Sequence, residues 1–234
     1  MSMGMENSRY ELKFMLDMVQ HMELERWLQV HTRMRTSYPP RRVNTLYLDD
    51  SRLQGVRDNL AGLPDRAKYR IRWYGDGADG IARQLRFEIK TRSGRVGNKY
   101  AARMPELEAD FLHTPLADLM PAITEVLGSN WPETALPATQ LLPMLFVYYD
   151  REYFEDASGV RLTIDTNVHY RSVQLTDTLA GLPGTGNDAV IAELKFAGEN
   201  KDRVSAMLRS LHVVPQRHSK YLTGMAMSGL TNYI

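Results

Sequence analysis

The chain has 234 residues, 43% of them hydrophobic and 24% charged, with a formal net charge of +1 and no cysteine. Those proportions describe a globular protein, and the near-neutral balance argues against a uniformly basic nucleic-acid-binding surface. Disulfides, thiolate catalysis and cysteine metal sites are excluded. No apolar run approaches the ~18 residues of a membrane span, and the N-terminus lacks a signal peptide's apolar core. The expectation is a cytoplasmic, single-domain protein over residues 1–234, with no membrane segment and no nucleic-acid partner.

In chain order, Arg9–Phe14 alternates polar and apolar residues and predicts a strand. Asp17–His31 predicts a helix, with Asp17 as cap and Gln20 completing a capping box. Val43–Leu48 predicts a strand, and Asp49, Asp50 and Ser51 offer caps for a short helix ending at Leu60. Lys68–Tyr74 and Gln84–Arg92 predict a hairpin with a long glycine-rich tip, and Ser93–Asn98 a second loop. The tip has neither the GK[ST] ending nor the strand–helix setting of a phosphate-binding loop.

Glu106–Leu127 predicts helix, with breaks near Pro115 and Pro121, and Trp131–Pro143 an irregular proline-rich stretch. Leu145–Phe154, Val160–Asp165 and Val190–Phe196 predict strands, with a turn at Asp156–Gly159. Gly181–Asp188 reads as an exposed glycine-rich connection, and Asp202–Leu211 and Ser219–Met227 as helices. Consecutive strands outnumber helices, so the class is α+β around an antiparallel sheet.

Three distant segments, KYRIRW, RFEIKTR and ELKF, alternate charge and hydrophobe in step. Strand side chains point to opposite faces with a period of two. One face then collects Glu11, Lys13, Lys68, Arg70, Arg72, Arg86, Glu88, Lys90, Arg92, Arg151, Arg161, Asp165, Glu193 and Lys195. Neighbouring cations repel unless an anion holds them. The pattern suggests a sheet built around a multiply charged anion, closed into a barrel with a hydrated interior. On this reading Arg70→Ala or Arg151→Ala leaves stability unchanged or raises it. The same spacing also allows a solvated face with cross-strand ion pairs, Glu88 to Arg70 for example, and for Glu193 a structural salt bridge to Lys195 or a facing arginine. The six histidines show no metal-ligand spacing.

The ordered segments ELKF, KYRIRWYG, FEIKTRSG, YDREYF, RLTID, ELKF and HSKY resemble the polyphosphate polymerase domain of the vacuolar transporter chaperone (VTC) family. That family is a branch of the triphosphate tunnel metalloenzymes, related to the CYTH cyclases and thiamine triphosphatases. The resemblance runs from about Arg9 to Met227. It implies a closed eight-stranded antiparallel barrel with helices outside. It also implies transfer of a nucleoside triphosphate's terminal phosphate onto polyphosphate, with Mn²⁺ or Mg²⁺. By resemblance, Lys13, Arg70, Arg72 and Lys90 grip the triphosphate, and Tyr149, Arg151, Arg161, Ser219 and Lys220 contact phosphate. Lys68, Arg92 and Lys195 join them, and Glu193 is the metal ligand. Arg217 stands where the family tends to have Lys, replacing a point charge by a fork. The family's eukaryotic polymerases also carry an inositol-phosphate-sensing domain and a membrane segment, which this sequence lacks; a membrane partner protein stays unidentified.

The expected partners are a nucleoside triphosphate and polyphosphate. The same site could serve a triphosphatase, with water as acceptor, or a non-catalytic polyphosphate-binding module. Cyclisation is the weakest option, because the CYTH ExExK pattern is reduced to Glu11-Leu12-Lys13 with Arg9 in the first Glu position.

Overall fold

Backbone pairing turns the alternating segments into strands. The computed structural model describes residues 9–75, 81–93, 96–104, 108–128, 139–180 and 184–231. Eleven strands and five α-helices are assigned among them. The strands are β1 (Arg9–Leu16), β2 (Arg35–Asp49), β3 (Arg66–Tyr74), β4 (Ile81–Ala82), β5 (Leu85–Ser93), β6 (Val96–Met104), β7 (Ala109–Asp110), β8 (Leu142–Glu155), β9 (Arg161–Ser172), β10 (Thr185–Asn187) and β11 (Val190–Ala197). The helices are α1 (Met18–His31), α2 (Gln54–Leu60), α3 (Leu116–Gly128), α4 (Lys201–Leu208) and α5 (Lys220–Met227). The class is α+β, as expected.

The main sheet runs β1-β11-β9-β8-β2-β3-β5-β6, with β10 on β9; β4 and β7 pair separately. Among the described residues β1 and β6 are the ends of this path, so the expected closed barrel is corrected to an open sheet. Alternation tells which face a residue occupies. Closure depends on pairing between two edges, which no period-two pattern encodes.

Other expectations shift. The loop expected at Ser93–Asn98 is a tight hairpin, with Ser93 opposite Val96 and the whole of β6 behind it. The glycine and asparagine there hide the strand, and pairing with β5 makes it. The helix expected from Glu106 begins only at Leu116, after β7. Pro115 precedes its first turn, and the Asp177 and Leu175 carbonyls accept from the Leu116 and Ala117 N–H groups. The glycine tip at 76–80, residues 131–138 of the proline-rich stretch and residues 181–183 lie outside the described residues.

Caps are partly legible. Asp17 and Gln20 form the predicted capping box on α1. In α2 the cap position falls to Leu53, in the left-handed region at φ 55°. Asp49 and Asp50 still serve the helix from a distance. Asp50 Oδ1 accepts from the Gln54 N–H, and Asp49 accepts from the Gly55 and Val56 N–H groups.

The chain divides into two compact units: Met1–Arg41, Tyr149–Val168 and Asn187–His218 make the first, and Arg42–Tyr148, His169–Gly186 and Ser219–Ile234 the second. Each has its own core. In the first, Phe14, Leu162, Ile164, Leu194 and Phe196 form the apolar back of the strands. Leu24, Trp27 and Leu28 of α1 and Val204 of α4 cover them. Trp27 donates to the Met207 carbonyl at 3.3 Å and to Ser210 Oγ at 3.1 Å, so its one polar atom is satisfied. In the second, Leu46, Ile71, Trp73, Phe87 and Ile89 pack with Leu116, Met120 and Ile123 of α3.

Helix α5 lies on the other side of the second unit's strands. Its Tyr221 ring stacks on Tyr47 at 4.8 Å, and Tyr47 pairs with Arg70, so α5 covers part of the charged face. Tyr221 Oη donates to Asp49 Oδ2 at 2.7 Å. Burial, and then the Asp49 carboxylate, push the Tyr221 phenol far above its ordinary pKa. Gly224 lets the helix seat closely: a Cβ there would meet Tyr170 Cδ1 at 2.5 Å and Leu145 Cδ2 at 2.6 Å. Overpacking costs about 1–3 kcal/mol, against a helix-propensity gain of about 1. With two contacts below 3.0 Å the overpacking cost falls at its upper end, so Gly224→Ala is expected to destabilise by about 2 kcal/mol in a denaturant titration. An unchanged midpoint would mean α5 is not seated there.

Candidate functional site

The first unit's polar face is set by register. Lys13 of β1 lies opposite Glu193 of β11, and Glu11 opposite Lys195. On the other side Glu193 faces Thr163, and Lys195 faces Arg161. Cations and carboxylates therefore alternate between β1 and β11, while on β9 Glu193 meets a hydroxyl and Lys195 a second cation. Lys195 Nζ is in direct contact with Glu193 Oε1. Lys13 Nζ lies 3.0 Å from Glu11 Oε1 and donates to the His218 carbonyl at 3.2 Å. Burial pushes the Glu193 carboxyl up, but Lys195, Lys13, the hydrogen bond from Lys195 and Arg151 outweigh it and hold it well below the usual carboxylate range.

Arg151 and Asp165 are the deepest pair on this face. Arg151 Nε donates to Asp165 Oδ1 at 2.5 Å and Nη2 to Oδ2 at 2.7 Å, a planar fork on a carboxylate that is 1% exposed. Burial pulls the Arg151 pKa down, but Asp165, Tyr149 and Glu193 raise it well above the ordinary value. Tyr149 is buried, its ring 5.2 Å from the Arg151 guanidinium carbon. Arg161 and Arg217 are exposed, and neither makes an ion pair among the described residues.

The second unit repeats the pattern. Lys68, Arg70 and Arg72 of β3 lie opposite Lys90, Glu88 and Arg86 of β5. Glu88, 3% exposed, is the counter-charge: Arg70 Nε donates to it at 2.7 Å, and Arg72 Nη1 lies 4.0 Å away. Lys90 and Arg92 are exposed toward the strand end. Lys68 Nζ donates to Ser219 Oγ at 3.0 Å, while Ser219 caps α5 by accepting from the Leu222 N–H. Lys220 is the first residue of that helix. The predicted residues thus divide between the units. Lys13, Tyr149, Arg151, Arg161, Glu193, Lys195 and Arg217 belong to the first, and Lys68, Arg70, Arg72, Lys90, Arg92, Ser219 and Lys220 to the second.

Sequence reasoning missed Arg103, opposite Arg86 on β6, because the strand itself was missed. Two ion pairs that the sequence left open as an alternative are present: Arg70 with Glu88, and Lys195 with Glu193.

No group of three or more His, Cys, Asp or Glu side chains able to hold a metal occurs among the described residues. A preformed all-protein cage is therefore not what these residues fit. They fit a hard divalent cation held by one carboxylate together with substrate phosphates, the usual habit of Mg²⁺. Glu193, held ionised, would be the carboxylate of that kind, with Glu11 bridged to it through Lys195.

Residues 8–228 match the family model described as the VTC domain. The chain belongs to the VTC domain family. No curated protein matches the chain in sequence. Among solved structures, the VTC domain described here is similar to a proposed adenylate cyclase from Vibrio parahaemolyticus. The identity is 12%, the coverage 92% of this chain and 97% of that one, and the TM-score 0.52. It is similar to HpAC1 from Hippeastrum, a proposed adenylyl cyclase described as having a dominant triphosphatase activity (15%, 95% and 96%, 0.50). It is also similar to the PH1819 protein of Pyrococcus horikoshii OT3 (14%, 95% and 99%, 0.51). At these identities the likeness is one of fold. No helix among the described residues is long and apolar enough to cross a membrane.

The Arg151–Asp165 pair reverses the stability expected of the VTC domain's arginines. Removing one partner of a buried pair leaves an uncompensated charge and costs about 3–5 kcal/mol. Arg151→Ala should lower the unfolding free energy by about that much, and Arg161→Ala, at an exposed site, by less than about 0.5 kcal/mol. Equal effects in chemical denaturation would show that Asp165 is not held by Arg151.

A pH dependence follows from Glu193. Its folded-state pKa lies below the ordinary glutamate value of 4.5, so the folded state binds fewer protons than the unfolded chain there. The stabilisation is complete above about pH 4.5 and is lost as pH falls toward the folded value. Glu193→Gln should flatten the acid limb of a stability-versus-pH curve. An acid limb of wild-type slope in the variant would assign the effect to other carboxylates.

Proposed function

We propose that this VTC domain is a metal-dependent phosphotransferase. It moves the terminal phosphate of a nucleoside triphosphate onto a growing polyphosphate chain. The observation that carries the reading is an ionised, largely buried carboxylate, Glu193, set among Lys13, Lys195 and Arg151 on one strand face. The family match over residues 8–228 supports it. A bound divalent cation, Mn²⁺ or Mg²⁺, would supply charge neutralisation at the phosphate oxygens, with Glu193 holding it. The remaining work belongs to the chain's cations.

Phosphoryl transfer is mostly positioning and charge stabilisation, and it requires no protein nucleophile. A terminal oxygen of polyphosphate attacks the γ-phosphorus, the bond to the β-phosphate oxygen breaks, and a nucleoside diphosphate leaves. In the first unit, exposed Arg161 and Arg217 are the cations best placed to receive phosphate, with Lys13, Lys195 and Arg151 behind them. In the second, Lys90 and Arg92 are exposed, and Arg70, Arg72 and Lys68 lie deeper. Ser219 and Lys220 begin α5, where the helix dipole favours an anion. Tyr149 acts by supporting the Arg151 guanidinium. We place the protein in the cytoplasm, where nucleoside triphosphates are available. The second reading is a triphosphatase, with water as acceptor; the activity described for the Hippeastrum protein of the same fold favours it.

The test is incubation with ATP and Mn²⁺, followed by separation of polyphosphate, orthophosphate and cyclic AMP. Polyphosphate growing with ADP supports the polymerase, and orthophosphate alone moves the assignment to triphosphatase. Glu193→Gln is expected to lower transfer at least about tenfold, about 1.4 kcal/mol of barrier. Full metal-dependent turnover in that variant would remove Glu193 from the site. No metal-dependent product from the wild type would leave only a polyanion-binding module.

A further inference from the structure

We propose that Tyr38, Arg41 and Tyr153 form a stacking platform for the nucleobase of a nucleoside triphosphate, beside the polar face that carries Arg151, Arg161 and Glu193. The inference rests on the triphosphate reading above and deepens it, because it distinguishes a nucleotide from inorganic triphosphate.

From Arg35 to Arg41 every residue of β2 is exposed. Within that stretch the Tyr38 ring, 57% exposed, is held in a defined pose. It meets the Tyr153 ring at 5.8 Å and 74°, edge to face. The Arg41 guanidinium lies 5.0 Å from the Tyr153 ring centre and 5.8 Å from that of Tyr38. Arg41 Nε also donates to Tyr153 Oη at 3.1 Å. The backbone is equally constrained. Pro39 and Pro40 follow Tyr38, fixing their own φ and holding Tyr38 extended. Neither proline can donate to a ladder, and the pairing of β2 with β3 covers Val43 to Leu48, beyond them.

Flat aromatic faces and guanidinium planes are the surfaces on which bases stack. The placement suits a nucleotide. Tyr153 follows Arg151 by two residues on β8 and so shares its face. The β8–β9 turn is closed by the Asp156 N–H donating to the Val160 carbonyl, and Arg161 opens β9 just beyond it. β9 separates β8 from β11 and its Glu193, a distance of two strand spacings, about 10 Å. A nucleotide with its terminal phosphate at Glu193 and Arg161 can reach the tyrosines with its base.

The experiment is calorimetric titration of the full chain with ATP and with inorganic tripolyphosphate, each with Ca²⁺ so that turnover is suppressed. Tyr38→Ala is expected to weaken ATP binding at least about fivefold, as loss of one stacking side chain does, and to leave tripolyphosphate within about twofold. Tyr38→Phe keeps the ring and should bind ATP as the wild type does. Far-ultraviolet circular dichroism checks that the variants fold. Should Tyr38→Ala misfold, GTP and tripolyphosphate competing for wild-type and Tyr38→Phe protein carry the test; a nucleotide advantage absent from both overturns the platform. ATP binding insensitive to Tyr38→Ala, with tripolyphosphate still bound, also overturns it while leaving the triphosphate site intact. Failure of the wild type to bind either ligand overturns the site itself and the platform with it.

Discussion

A buried charge has to be paired, and the strand faces of this protein are arranged around that constraint. Arg151 and Asp165 show it most clearly. Both are largely withdrawn from water, and the fork geometry satisfies both carboxylate oxygens. An isolated charge at that depth would cost several kcal/mol. Glu88 does the same for Arg70, and Lys195 for the more buried Glu193. Each face is cationic in excess, yet the deepest members are neutralised from within. Arg161, Arg217, Lys90 and Arg92 are the more exposed cations of these faces.

That arrangement changes how an anion would be received. A site of unpaired cations would bind phosphate strongly but strain the folded protein. Here carboxylates already hold the inner cations in place, so their geometry exists before any ligand arrives. Preorganised charge is worth most in catalysis, because nothing needs to reorganise during the reaction. On the phosphotransferase reading proposed above, polyphosphate would meet the exposed guanidiniums first, and a metal ion would meet a carboxylate that is already ionised. Glu193 is kept in that state by the cations beside it.

The apolar backs solve a separate problem. Each unit buries its own hydrophobic face under helices, α1 and α4 in one and α3 in the other. This leaves the polar faces to be finished by other means. In the second unit α5 does so, with Tyr221 reaching Asp49 and Ser219 reaching Lys68. Asp49 in turn accepts from the first turn of α2, so one carboxylate ties two helices to one strand. The C-terminal segment that ends the family match therefore also caps a polar surface.

The sequence by itself determined which residues share a face. A period of two in KYRIRW, RFEIKTR and ELKF leaves no other assignment once the segments are strands, and the ladders reproduce it residue for residue. It also determined the capping box of α1, the turn at Asp156–Gly159 and the family, since these depend on local spacing or on ordered motifs. Tertiary structure decided what spacing cannot encode. β6 exists because β5 offers it a partner, and α3 starts where Asp177 and Leu175 supply carbonyls from a distant loop. The sheet path ends at β1 and β6 because edge pairing is a long-range matter. Charge alternation could equally mean cations awaiting an anion or cations already paired. Only the distances between side chains far apart in the chain, Arg151 to Asp165 and Arg70 to Glu88, resolve that choice.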